Sequence, residues 1–372
     1  MKFLLTIILV LVLIAGCTAA WMWYGMTKPY QDFPSGGVFV DIPHGASRRY
    51  VAYILKKNGV IRSAMAFEIY ARRNPKRTLQ AGEYFFNQPA TGRDVFWKLA
   101  KGDVYQQPFT VREGETMFDI ARELEAAKFM PAGDFLFAAG DTALIRNLAP
   151  GAQTLEGFLF PATYELPRHP SANELTAEMV HKFSEEWKRI ASSAAPAQTE
   201  DNSHSAVLRV VTLASLVERE TPKPEERPLV AGAFENRLRK GMRLQCDPTV
   251  IYGMERFGKY NGTLTGKDLS FDSLYNTYEH GGLPPGPIGN PGEASLRAAL
   301  QPAHTDYLYF VANTQGGHFF SATLAEHNKN VVKYRRLLAG LPADPPPPPP
   351  PLPATPKKKH SKQSKQHRGA AR

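Results

Sequence analysis

From Phe3 to Thr27 the chain carries no charged residue, and the stretch from Phe3 to Ile14 is almost wholly aliphatic. As a helix rising about 1.5 Å per residue, this segment is long enough for a hydrocarbon core of roughly 30 Å. Trp21, Trp23 and Tyr24 fall where an aromatic interface belt belongs, and Lys2 favours an N-terminus on the inner side. The pattern predicts a single-pass anchor over residues 1–27. Ile14-Ala15-Gly16-Cys17 also fits a lipoprotein cleavage box with Cys17 as the lipidated residue, but the apolar run continues through Trp23, which favours an uncleaved anchor. On either reading the bulk of the chain is exported, to the periplasmic side of the cytoplasmic membrane.

Beyond a linker at 28–37, a weak repeat appears with an offset of 69 residues. Ile42-Pro43-His44-Gly45-Ala46-Ser47 precedes Val51-Ala52-Tyr53-Ile54-Leu55, and Val111-Arg112-Glu113-Gly114-Glu115-Thr116 precedes Ile120-Ala121-Arg122-Glu123-Leu124. Each copy reads as strand end, glycine turn, Ser or Thr N-cap and short amphipathic helix. Leu79 to Phe86 reads as a strand between them. This strand–Gly–Ser/Thr–helix pattern resembles LysM-type glycan-binding modules, so a small LysM-like α+β domain is expected over 38–150.

From 151 to 340 the periodicity predicts a mixed α+β domain. Ser171 and Glu174 form a capping box for a helix bearing Leu175, Met179, Phe183, Trp187 and Ile190 on one face. Ala191 to Ser205 reads as a polar loop. A nearly all-apolar helix runs from Ala206 to Val217 and ends in Glu218. Thr221-Pro222-Lys223-Pro224 must break it, because proline cannot donate an interior helix bond. A helix over about 228–240, a hairpin over 307–320 and a last helix over 324–338 complete the domain. The fold class expected is therefore α+β: anchor, LysM-like domain and mixed catalytic domain, followed by a tail at 341–372.

Charge changes the picture little. The formal net charge is +10, but seven of the positive charges lie in residues 357–372, leaving +3 elsewhere. That tail lacks aromatics and periodicity and reads as a solvated segment suited to anionic lipid or cell-wall polymer, so no nucleic-acid partner is expected. The seven prolines from Pro345 to Pro351 form a polyproline II spacer. Cys17 and Cys246 are the only cysteines, so no internal disulfide framework is expected, and no motif calls for a metal or cofactor.

Glu218 is the candidate for chemistry. Leu208, Val211, Ser215 and Glu218 follow three-and-four spacing, which puts the acid on a buried face. A carboxyl there must be paired or protonated through a raised pKa, and a protonated carboxyl is what a general acid needs. Glu220 should point elsewhere, as a structural partner of a nearby cation. Four Gly-, Pro- and Tyr-bearing stretches follow between 218 and 292: 217–221, 242–253, 275–278 and 281–292. Tyrosines beside amide and hydroxyl groups suit a sugar ring. Asp247 is the best second carboxylate, and His318 and His327 fit no metal pattern.

In this order and spacing, Leu-Val-Glu-Arg-Glu-Thr, Arg-Leu-Gln-Cys-Asp-Pro-Thr-Val-Ile-Tyr-Gly, Tyr-Asn-Thr-Tyr and Gly-Leu-Pro-Pro-Gly-Pro-Ile closely resemble motifs of the endolytic murein transglycosylases, membrane-anchored lyases of the bacterial cell wall. The resemblance covers roughly residues 38–338. Cys246 stands where Thr is common in the family, and Ala162 where Asp is common. The resemblance places the catalytic acid/base on Glu218 and implies substrate contacts from Gln245, Asp247, Tyr252, Asn276, Thr277, Tyr278, Leu283 and Pro284. It implies cleavage of the β-1,4 bond between N-acetylmuramic acid and N-acetylglucosamine in nascent peptidoglycan strands, with 1,6-anhydro ends and no cofactor. It also implies proximity to peptidoglycan polymerases and a role in ending or trimming glycan elongation. The competing reading is a non-catalytic peptidoglycan-binding or scaffold protein.

Overall fold

The computed structural model describes residues 2–193 and 204–343. The proline run, the basic tail and most of the expected 191–205 loop lie outside the described residues. Helix α1 (Lys2–Thr27) is long and apolar enough to cross a membrane, and its large side chains from Phe3 to Ile14 are exposed.

Two successive β–α–α–β units follow, and they explain the 69-residue repeat. In the first, β1 (Val38–Ile42), α2 (Arg48–Lys57) and α3 (Ala64–Arg73) lead to β2 (Gly82–Phe86), which pairs antiparallel with β1. After α4 (Gly92–Lys101), the second unit runs β3 (Gln107–Thr110), α5 (Met117–Ala126), α6 (Ala132–Ala139) and β4 (Thr163–Leu166), with β4 antiparallel to β3. Ser47 caps α2 by accepting the Tyr50 N–H, and Thr116 caps α5 in a full capping box with Asp119. The expected caps thus set both helix starts. The pairing of β3 with β4 joins residues on either side of position 150, where a domain boundary was expected. The expected strand from Leu79 starts only at Gly82, because the Gln80 N–H turns aside to the Leu99 carbonyl.

The first unit has its own core, with Leu55, Phe67, Tyr84, Phe96 and Leu99 fully buried. Met26, in the last turn of the anchor, is buried in that same core.

The long helix α7 (Ala172–Ser193) continues past the point where a loop was expected. Its stripe is a core face: Leu175, Met179, Phe183 and Ile190 are buried. Ser171 accepts the Glu174 N–H at 3.4 Å, one half of the expected capping box. Helices α8 (His204–Glu220), α9 (Arg227–Arg239), α10 (Asp247–Glu255) and α11 (Glu293–Leu300) then assemble around α8. Burial of Val211, Leu213, Leu216 and Val217 makes α8 the hub. Each such side chain contributes about 1.5–3 kcal/mol when fully buried. Residues up to Leu308 form one compact unit. A second comprises the antiparallel hairpin of β5 (Tyr309–Ala312) and β6 (His318–Ser321) with α12 (Leu324–Leu338).

Candidate active site

Helix α8 extends to Glu220, so Glu218 lies inside its last turn. Val211 and Ser215 are fully buried, and the Glu218 side chain is only 4% exposed, as the shared face predicts. Two donors fix the carboxyl. Oε1 accepts from the Arg227 guanidinium at 2.7 Å, and Oε2 accepts the backbone N–H of Gly292 at 2.9 Å. Arg227 opens α9 just after the proline break and is 6% exposed. Gly292 precedes the first residue of α11.

A second carboxylate attends this pair. Arg227 also donates to Glu113 Oε2 at 3.3 Å, and Glu113, in the turn before α5, is 49% exposed. A Cβ on Gly292 would come within 1.9 Å of Glu113 Oε1, so only glycine admits this approach. Above the acid lies an open cleft of about 330 Å³, lined by Arg112, Glu113, Gly114, Asp119, Glu218 and Arg219 among others. Burial pushes the Glu218 pKa up, and the negative charge of Glu113 adds to the rise. The Gly292 N–H and Arg227 oppose it without cancelling it. The carboxyl therefore holds its proton to a higher pH than an ordinary glutamate.

The 286–292 loop is held from below. Ser215 Oγ accepts the Ile288 N–H at 3.0 Å, and Arg219 donates to the Ile288 carbonyl at 3.2 Å. Asn290 is fully buried and ties three segments together. Its Oδ1 accepts from the N–H groups of Gly157 and Leu159, at 2.8 and 3.0 Å. Its Nδ2 donates to the Glu115 carbonyl and to Glu156 Oε1, at 2.9 and 3.0 Å. Its backbone exchanges hydrogen bonds with Gly114 and Glu115.

Glu156 is a buried acid outside the cleft. It accepts the Met117 N–H at the start of α5, while the Tyr252 hydroxyl approaches without reaching hydrogen-bond geometry. Burial pushes its pKa up to about 8, against the opposing Met117 hydrogen bond. A raised carboxyl pKa favours the fold in the protonated form. Its contribution is complete below the unfolded value near 4.5 and is lost as pH rises through about 8. Glu156→Gln should therefore flatten the fall in stability across that window. Melting temperatures of both proteins from acid to alkaline pH should diverge in favour of the variant, and parallel curves would refute this.

The remaining expected contacts divide by exposure. Gln245 and Asp247 are exposed, and Tyr278 and Leu283 are half-buried. Tyr278 donates its hydroxyl to Asp247 Oδ1 at 2.6 Å. Burial and that carboxylate hold the phenol well above its usual pKa. Gln245 adopts a left-handed backbone (φ 52°), an uncommon state for a residue other than glycine. Tyr252, Asn276, Thr277 and Pro284, also expected to contact substrate, are instead buried. Asn276 spends its amide on the Leu269 and Phe271 carbonyls and its Oδ1 on the Tyr278 N–H. Thr277 Oγ1 accepts the Cys246 N–H and meets Thr249 Oγ1. Tyr252 packs against Phe118 and Tyr275. These residues shape the loop that presents Asp247 and Tyr278. Glu220 accepts a hydrogen bond from the buried Cys246 thiol, and its charge acts on Tyr278.

Sequence reasoning did not single out Glu113, Arg227, Asn290 or Glu156. Arg227 carried one usable signal: a cation at the first position of a helix nine residues after a buried acid.

An α+β scaffold with one buried, pKa-raised glutamic acid under an open cleft is the class that this geometry defines. The sequence profile of the YceG-like family matches residues 40–333, and the chain belongs to that family. It is 36% identical to the endolytic murein transglycosylase of Bacillus subtilis (strain 168) over 324 residues, 83% of this chain and 88% of that one. With the endolytic murein transglycosylase of Streptococcus pneumoniae serotype 2 (strain D39 / NCTC 7466) it shares 29% over 327 residues, 80% of this chain but 58% of that one. A solved YceG-like protein from Listeria monocytogenes superposes with a TM-score of 0.53 at 33% identity, covering 80% of this chain and 99% of its own. The activity named for the relatives is that of a lyase.

Proposed function

We propose that this chain is an endolytic peptidoglycan lytic transglycosylase with Glu218 as its single acid/base. The observation that carries the reading is the Glu218 carboxyl, buried, held by two donors and with its pKa raised by burial, beneath an open cleft. The names of the relatives supply the substrate class. Protonated Glu218 gives its proton to the bridging oxygen as the bond from C1 of N-acetylmuramic acid breaks. The resulting carboxylate then takes the proton of the same sugar's C6 hydroxyl, whose oxygen bonds to C1. A 1,6-anhydro end forms, no water is consumed, and Glu218 is protonated again. The intramolecular nucleophile gains from proximity. Hydrolysis would instead require a second carboxylate as base or nucleophile.

Glu113 shares Arg227 with Glu218, and we assign it to tuning. Its charge raises the Glu218 pKa, so Glu113→Gln lowers it. Activity needs the protonated acid, so the alkaline limb of the kcat/KM profile should move to lower pH in the variant. An unmoved limb, or one moved upward, would remove Glu113 from this role.

Gln245, Asp247, Tyr278 and Leu283 are the accessible members of the expected substrate surface. We assign them sugar contacts, with Tyr278 oriented by Asp247. The paired β–α–α–β units support a LysM-like, strand-positioning role for residues 38–150. The apolar α1 supports a membrane anchor with the acid on the outer side, near the polymerases whose strands it would end or trim. Incubating the intact chain with uncrosslinked glycan strands and analysing products by mass spectrometry tests the reading. Anhydro ends are expected. Reducing ends would mean a hydrolase, and binding without cleavage would leave the scaffold reading.

A further inference from the structure

A pocket of about 380 Å³ lies where α1 meets the first β–α–α–β unit, away from Glu218. Its wall divides by chemistry. Met22, Trp23 and Met26 of α1 and Ile69 of α3 are apolar, whereas Arg73 ends α3 and Arg93 lies in the first turn of α4. Both arginines are exposed, and among the described residues neither guanidinium takes a hydrogen bond or an ion pair.

The position along α1 fixes what this pocket faces. About 20 helical residues fill the hydrocarbon core. Counted from Phe3, the acyl region ends near Met22, and Trp23, 63% exposed, stands at the interface. The apolar half of the pocket then sits at the depth of the upper acyl chains and the guanidiniums at that of the headgroups. Docking of the helix is close, since a Cβ on Gly92 would come within 2.9 Å of the Met26 sulfur. Residues 28–106 carry thirteen Lys and Arg against six Asp and Glu, so the membrane-proximal region is far more basic than the rest of the folded chain. Such a field draws anionic lipid.

We propose that this pocket binds one anionic phospholipid of the leaflet from which the anchor emerges. Its phosphate is held by Arg73 and Arg93, and an acyl chain lies along Met22, Met26 and Ile69. The inference rests on α1 being embedded in a membrane. The full chain is reconstituted in phosphatidylcholine vesicles containing phosphatidylglycerol, and retained lipid is read by native mass spectrometry. Wild type should keep phosphatidylglycerol in preference to phosphatidylcholine. Arg73→Gln/Arg93→Gln should lose that preference by about 30-fold, the order expected for two basic groups at a membrane surface. Lys98→Gln/Lys101→Gln, charge-matched towards the other end of α4, should keep it. Carbonate extraction is run alongside. Release of the wild type would overturn the anchor, and this site with it. A membrane-retained wild type without lipid preference would overturn the site alone, as would equal losses in the two double variants.

Discussion

Glu218→Gln is expected to reduce strand cleavage by about 10²–10⁴-fold in kcat, the usual contribution of a general acid/base. Glutamine keeps the size of the side chain and an oxygen that can accept from Arg227 or Gly292. It also resembles the protonated carboxyl that burial favours at this position. The fold should therefore survive, with a melting temperature near that of the wild type, while proton donation is lost. Binding of uncleaved strands should persist, so KM should change far less than kcat. Full activity in the variant would move the chemistry to another residue.

Asn290→Ala should be among the most destabilising single substitutions in the folded chain, costing about 3–5 kcal/mol. The side chain satisfies the N–H groups of Gly157 and Leu159 and the carbonyl of Glu115, and it also bonds Glu156. Each buried polar group left unsatisfied costs roughly 1–3 kcal/mol, and alanine leaves the Gly157 and Leu159 N–H groups without this acceptor while its own backbone N–H still reaches the Glu115 carbonyl. Activity should fall as well, because the same loop delivers the Gly292 N–H to Glu218. Denaturant unfolding of wild type and variant checks the magnitude. A midpoint within about 0.5 kcal/mol of wild type would show that water readily replaces the side chain. Asn290→Asp is the informative companion, since it restores the acceptor but sets a second carboxylate against Glu156.

Local pattern carried much of the fold. Ser47 and Thr116 mark helix starts because a short hydroxyl side chain competes for backbone N–H groups at a terminus and does little for a helix interior. The stripe from Leu175 to Ile190 is most simply a core face, and the spacing of Val211, Ser215 and Glu218 predicts the shared buried face that the structure has. Long-range pairings were not legible. Glu113 and Arg227 are 114 residues apart, and Asn290 reaches back 133 residues to Gly157. Nothing periodic connects such positions. Asn276 and Thr277 are ambiguous in the sequence for a related reason. A polar side chain in a Gly- and Pro-rich stretch either meets a ligand or satisfies its own loop's backbone, and composition does not distinguish the two.

The two β–α–α–β units stand in series. The first takes the last turn of α1 into its core, and the second brings Glu113 to the acid. Arg168, just beyond β4, joins them by pairing with Glu83 at 3.1 Å and lying over the Phe39 ring. With α1 in a bilayer, the altitude of the cutting point becomes a property of the chain itself. The first unit is then the footing on the anchor and the second the mast that carries Glu113 to Glu218.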